Sequence, residues 1–204
     1  GPRIAGARLV YMPLKKENDY LIDFDAIPEE VARAAKMMVV SYPNNPTTAI
    51  APGWLYEKLI AFAKKYEIAV VHDNAYSELA FGMETSGSFL QYPGAKEVGV
   101  EFNSLSKTYG LAGARIGFCI GNREIVEKLT ALKSNTDYGM FLPVQKAAIA
   151  AITGDQSCVK TTREAYQKRR DCFCEGMTSI GWKIGKCPAT MFMWAPIPAA
   201  YDSS

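Results

Sequence analysis

Lys36-Met37-Met38-Val39-Val40-Ser41-Tyr42 and Ile68-Ala69-Val70-Val71-His72 are short apolar, β-branched runs, and the stretch between them decides the fold. The first run breaks at Pro43-Asn44-Asn45-Pro46, a cluster of turn formers. From about residue 53 to 66, Leu55, Leu59, Phe62 and Ala63 recur at helical spacing, while Glu57, Lys58, Lys64 and Lys65 take the other side. The second run ends at Asp73-Asn74. Strand, helix and strand, with near-continuous apolar strands, predict an α/β sheet covered on both faces.

Working outward, Val98-Gly99-Val100-Glu101-Phe102 reads as a third strand ending at Asn103-Ser104, and Arg115-Ile116-Gly117-Phe118-Cys119-Ile120 as a fourth. Helices are expected at about 122–133, 143–153 and 156–180, and a final strand at 190–194, where Met191, Met193 and Trp194 suit a strand core. The long polar helix followed by a separate strand suggests a crossing into a second domain, giving units 1–155 and 156–204. There is no internal repeat and no low-complexity linker.

The 204 residues suffice for a sizeable core, and 49% apolar with 22% charged residues excludes a disordered chain. A net charge of +2, with no long basic run, argues against a nucleic-acid or anionic-membrane partner. No apolar stretch is long enough to span a bilayer. Five cysteines without CxxC and a single histidine, His72, argue against a disulfide framework and a zinc site, and fit reduced thiols in the cytoplasm. The chain lacks an initiator Met, Gly1-Pro2 resembles a cleavage scar, and the tail from Trp194 to Ser204 leaves an apolar pattern and stops. An interior piece of a larger protein is the expectation.

Polar residues gather where such sheets do chemistry, beyond the carboxyl ends of the strands. Asn45 follows the first strand, Asp73 and Tyr76 the second, and Ser104-Leu105-Ser106-Lys107 the third. Each has a plain structural reading: Asn45 as a turn residue, Asp73, Ser104 and Ser106 as caps, Lys107 as a solvated loop lysine. Their joint occurrence at three successive strand ends points to a site. His72 adjoins Asp73, but neighbours on a strand face opposite ways, so a buried structural histidine is expected.

Three segments then become specific: Ser41-Tyr42-Pro43-Asn44-Asn45-Pro46-Thr47, His72-Asp73-Asn74-Ala75-Tyr76, and Ser104-Leu105-Ser106-Lys107 through Arg115-Ile116-Gly117. They resemble the signature stretches of class I/II aminotransferases, pyridoxal-phosphate (PLP) enzymes of fold type I. The likeness runs through nearly the whole chain. The wording Asp73-Asn74-Ala75-Tyr76-Ser77-Glu78-Leu79, with Asn135 to Phe141, resembles the LL-diaminopimelate aminotransferase-like branch. The resemblance implies a large PLP-binding domain with a mixed, mostly parallel sheet and helices on both faces, plus the start of a small C-terminal α/β domain. It implies transfer of an amino group from an amino acid to a 2-oxo acid, in a homodimer.

Residue by residue, the resemblance makes Lys107 the Schiff-base lysine and proton carrier. It makes Asp73 the carboxylate facing the pyridine nitrogen, and Asn45 and Tyr76 the donors to the cofactor's phenolic oxygen. Arg115 and Ser104 become phosphate ligands, with Ser106 as a further candidate. Gly110, Gly113 and Gly117 form no GxGxxG, and close backbone packing is their expected task. Tyr138 is read either as a residue approaching a neighbouring subunit's site or as an ordinary loop tyrosine. The family's glycine after Asn-Pro-Thr is Thr48 here. Its phosphate-binding helix N-terminus, ring-stacking aromatic and carboxylate-gripping arginine are expected outside residues 1–204, so the chain by itself is expected to be a poor transaminase. Two alternatives remain: a carbon–sulfur lyase of the same fold, and a non-catalytic effector domain of a regulator.

Overall fold

The computed structural model describes residues 1–83, 85–198 and 201. Its centre is a four-stranded sheet in the order β1-β2-β3-β4, with β1 Met37–Ser41, β2 Ala69–Asp73, β3 Gly99–Ser104 and β4 Gly117–Gly121. The first three strands run parallel and β4 is antiparallel to β3, so the sheet is mixed and mostly parallel, as expected. Pairing matches Val40 to His72, His72 to Glu101, and Glu101 to Ile120.

Helix α1 (Glu29–Ala34) precedes β1, and α2 (Gly53–Tyr66) joins β1 to β2. The apolar stripe of α2 buries Leu55, Tyr56, Leu59, Ile60 and Ala63 in a core shared with Met38, Val40, Val70 and Phe89. Each of the larger aliphatic side chains and Phe89 contributes about 1.5–3 kcal/mol on leaving water. The helix ends because Glu67 turns left-handed (φ 55°) and returns its N–H to the Ala63 carbonyl, with Lys64 and Lys65 facing the negative end of the helix dipole. The opposite sheet face is more open: Met37 and Val39 are each 55% exposed.

Short helices α3 (Ala95–Val98) and α4 (Leu105–Thr108) bracket β3, and α5 (Arg123–Thr136), α6 (Leu142–Thr153) and α7 (Ser157–Ser179) follow β4. The last three fall close to the ranges expected. The final strand does not form. Only Ala189 pairs, as a single antiparallel bridge with Ala80, because Thr190 turns left-handed at φ 71° and breaks the extended geometry a ladder needs. Met191 and Trp194 are exposed rather than in a strand core. Part of the tail pattern, residues 199, 200 and 202–204, lies outside the described residues.

The glycine expectation divides. A Cβ on Gly117 would collide with the Asn103 carbonyl oxygen, so that position does require close backbone packing. Nothing crowds Gly110 or Gly113, which corrects the reading for those two; Gly110 instead supplies a left-handed turn at φ 66°.

Candidate active site

Parallel pairing places the carboxyl ends of β1, β2 and β3 along one sheet edge. Ser41 is in register with Asp73, and Asp73 with Phe102, two residues before Ser104. Asn45 lies on the loop leaving β1, Asp73 closes β2, and Ser104 closes β3 and leads directly into α4, which carries Ser106 and Lys107. Because β4 is antiparallel and pairs Gly117 with Ser104, the chain entering β4 brings Arg115 to this same edge. Four strand ends thus deliver all seven candidate residues to one side of the sheet.

The local bonds show which groups are spent and which are spare. The Ser104 hydroxyl accepts from the Ser106 N–H at 3.2 Å, so Ser104 caps α4 while its own proton stays available. Asp73 takes no helix cap; its Oδ1 accepts from the Ala75 N–H at 3.3 Å, an Asx turn that leaves Oδ2 open to solvent. Arg115 donates one N–H to the Ala112 carbonyl at 3.0 Å and keeps the rest of its fork. Its backbone is left-handed at φ 53°, a strained setting for a long side chain and common at ligand sites. Lys107 is half-buried and has no hydrogen-bond or ion-pair partner among the described residues. Asn45 is exposed and its amide has no hydrogen-bond partner among the described residues, whereas neighbouring Asn44 is buried and holds the turn through Thr47 at 2.7 Å.

Tyr76 is buried beside Asp73. Burial pushes its phenol up, and the Asp73 charge pushes it further, so the hydroxyl stays protonated as a donor. Phe192 packs edge-on against the Tyr76 ring at 5.7 Å between centroids. The segment carrying Phe192 is pinned to the Tyr76 loop by Phe81 N–H to Pro188 O and Thr190 N–H to Leu79 O, both 2.8 Å. The edge is an open shelf. Two shallow concavities lie elsewhere, one of about 340 Å³ beside Asn18, Asp23, Trp54 and Lys58, the other beside Cys174, Thr178 and Ile184. Neither gathers a set of reactive groups. Tyr138 stands 95% exposed, and Asn135 is occupied with the Ala131 carbonyl at 2.7 Å.

Beneath the shelf, on the α2 side, His72 is fully buried, the structural position expected for it. Its Nδ1 lies 3.0 Å from Glu101 Oε2 and its Nε2 3.3 Å from the Tyr56 hydroxyl. Glu101, 2% exposed, also accepts from the Ser88 hydroxyl, the Phe89 N–H and Asn103 Nδ2 at 2.9–3.0 Å. Burial alone would raise this carboxyl, but the hydrogen bonds from His72 and Asn103 and the His72 charge outweigh it and hold it below its ordinary value. Glu101 went unnoticed in the sequence, although a charge inside an apolar strand was the available signal.

The family model for aminotransferase class I and II matches residues 1–203, and the chain belongs to that family. It is 47% identical over its full 204 residues to an LL-diaminopimelate aminotransferase of Moorella thermoacetica, of which it covers 52%. Among solved structures, apo BacF from Bacillus subtilis matches 98% of the chain and 51% of its own length at TM-score 0.93 and 39% identity. A probable N-succinyldiaminopimelate aminotransferase from Thermus thermophilus matches 98% of the chain and 53% of its own length at TM-score 0.89 and 34% identity. The chain spans about half the length of the curated relatives it matches.

Proposed function

We propose that this chain supplies the catalytic core of a PLP-dependent aminotransferase that moves an amino group from an amino acid to a 2-oxo acid, with LL-diaminopimelate as the amino donor. The observation that carries the reading is the convergence of Asp73, the Ser104–Lys107 turn and Arg115 on one sheet edge, in a chain of this family. The name of the curated relatives supports the substrate. The set of groups fits the cofactor: an open carboxylate, an unpaired amine, a guanidinium fork and hydroxyls match a ring nitrogen, an aldehyde and a phosphate. When bound, PLP supplies an electron sink for the carbanion left at the substrate's α-carbon.

The chain's own groups divide the remaining work. Lys107 would hold the cofactor through its ε-amine, the same amine that is placed to move a proton on and off the substrate α-carbon. Asp73 keeps a proton on the facing ring nitrogen by charge. Tyr76 and Asn45 donate to the phenolic oxygen. Arg115 and Ser104 hold the phosphate dianion, with Ser106 beside them. We assign residues 1–155 to the large domain and 156–204 to a connecting helix and the start of a small one. No helix among the described residues is long and apolar enough to cross a membrane. A cytoplasmic homodimer completes the proposal, with exposed Tyr138 turned toward the partner.

Adding PLP to the intact protein tests this. A visible absorbance band, fixed by borohydride and absent in Lys107→Ala, is expected, with transfer from LL-diaminopimelate to 2-oxoglutarate. Equal absorbance in Lys107→Ala would end the reading. Pyruvate release from a β-substituted amino acid would favour the lyase instead.

A further inference from the structure

Asp73 and Ser104 sit at the tips of adjacent strands, and the residue before each, His72 and Asn103, hydrogen-bonds to one buried carboxylate on the other side of the sheet. Ser88 and Phe89, at the far end of the loop that carries Tyr76, bond to it as well. The two donors on the strands, His72 and Asn103, therefore each adjoin a site residue. We propose that Glu101 is a positioning residue, tying the tip of β2 to the tip of β3 through His72 so that Asp73 and the Lys107 turn address one ligand.

Direct catalysis is excluded by access: Tyr56, His72 and Glu101 are 3%, 0% and 2% exposed, so no substrate reaches them. A core filler would be a simpler residue. A buried ionised carboxylate is heavily penalised unless its lone pairs are met, and an apolar side chain facing α2 would avoid that penalty. What the carboxylate adds is direction. Being ionised, it only accepts, so His72 must donate through Nδ1 across from β2, while Asn103, two residues on along β3, donates through Nδ2 and holds the carboxylate in that orientation. Apolar packing would tolerate sliding that this arrangement does not. Supporting shells of this kind hold reactive groups to about half an ångström.

The inference rests on the PLP reading, and the test separates the two. In the intact protein, well below its unfolding temperature, PLP is titrated against the parent, Lys107→Ala and Glu101→Gln, following the Lys107-dependent visible band. Amide hydrogen exchange is measured in parallel without PLP. Glu101→Gln is expected to raise the PLP concentration at half-saturation about tenfold. It is also expected to speed exchange at Asn74 and Tyr109, whose N–H groups bond across and just past the strand tips, while α7 exchanges as in the parent. A lower melting temperature with parent-like half-saturation and parent-like tip exchange would reduce Glu101 to a stability element and overturn the inference. Should the parent give no Lys107-dependent band, the PLP reading fails, and the exchange pattern alone decides: acceleration confined to the tips upholds the tie, whereas uniform or unchanged exchange overturns it. If Glu101→Gln does not fold, Asn103→Ala removes one donor from a half-buried site, and the same two readouts, with smaller shifts, apply.

Discussion

His72 and Asp73 are consecutive residues at the end of one strand, yet they live in opposite regimes. Below the sheet, His72 and Glu101 have almost no exposed surface and their polar atoms are paired. Above it, Asp73 keeps a free carboxylate oxygen, Lys107 has no partner among the described residues, and Arg115 spends one donor of its fork. Spent valence marks structure and spare valence marks function, and the pleat of the strand places one against the other.

The sharpest break between the two sides is Lys107→Ala. On the spare side, this change should abolish the PLP-dependent band and amino transfer while leaving the far-ultraviolet circular dichroism spectrum and melting temperature unaltered. A large loss of fold would place Lys107 among the structural groups instead. On the spent side, Leu59→Ala should do the reverse. Leu59 is 1% exposed in the α2 core, and its truncation should cost about 2–5 kcal/mol in urea unfolding. PLP half-saturation of the fraction that stays folded should hardly move.

Asp73→Asn comes next. Amide and carboxylate have the same shape, and the Asx bond to Ala75 survives, so stability should hold. The charge facing the ring nitrogen is lost, and kcat should fall about a hundredfold with KM little changed, as when an interaction acts mainly in the transition state. A change confined to KM would assign Asp73 to substrate binding.

These sites differ in how far the sequence revealed them. β1, α2 and β2 were legible because apolar period and breakers agree at Pro43 to Pro46 and at Asp73-Asn74. Asn45, Asp73, Ser104 and Lys107 were legible as strand-end residues even before any family likeness. The strand expected at 190–194 failed because alternation of side chains says nothing of backbone sign at Thr190. Glu101 was hidden for a related reason: apart from Asn103 on its own strand, its partners His72 and Ser88 come from other segments, His72 through strand register and Ser88 through the loop after β2. The Phe192 contact with Tyr76 is likewise a tertiary fact, carried by residues far apart in the chain.

Acid probes the buried side further. The Glu101 carboxyl sits below its ordinary value near 4.5 in the folded chain, so its ionised form stabilises the fold fully above that value. This contribution disappears as pH falls through the lower folded value. His72 faces it directly, and Tyr56, bonded to the other ring nitrogen of His72, completes the set of titratable groups bonded in the network. The urea midpoint of the parent should therefore exceed that of Glu101→Gln at pH 5. The margin should narrow once pH drops below about 4.5. A margin that widens in acid would mean the carboxyl is protonated in the fold.

The smallest effect belongs to Thr48, in the turn that presents Asn45. Its backbone is left-handed at φ 65° and its side chain is 3% exposed, so it combines strain with burial. Replacing it with glycine relieves about 1–2 kcal/mol of steric cost. Against that, glycine gives up about 0.5–1 kcal/mol of chain entropy and about 0.8 kcal/mol for the buried methyl. These terms offset, and Thr48→Gly should alter stability by less than about 0.5 kcal/mol. The N–H of residue 48 still reaches the Asn44 carbonyl, now 2.9 Å away, so Asn45 keeps its place and PLP half-saturation should stay at the parent value. A destabilisation beyond about 1.5 kcal/mol would show that the Thr48 side chain belongs with the spent groups, on the structural side of the comparison.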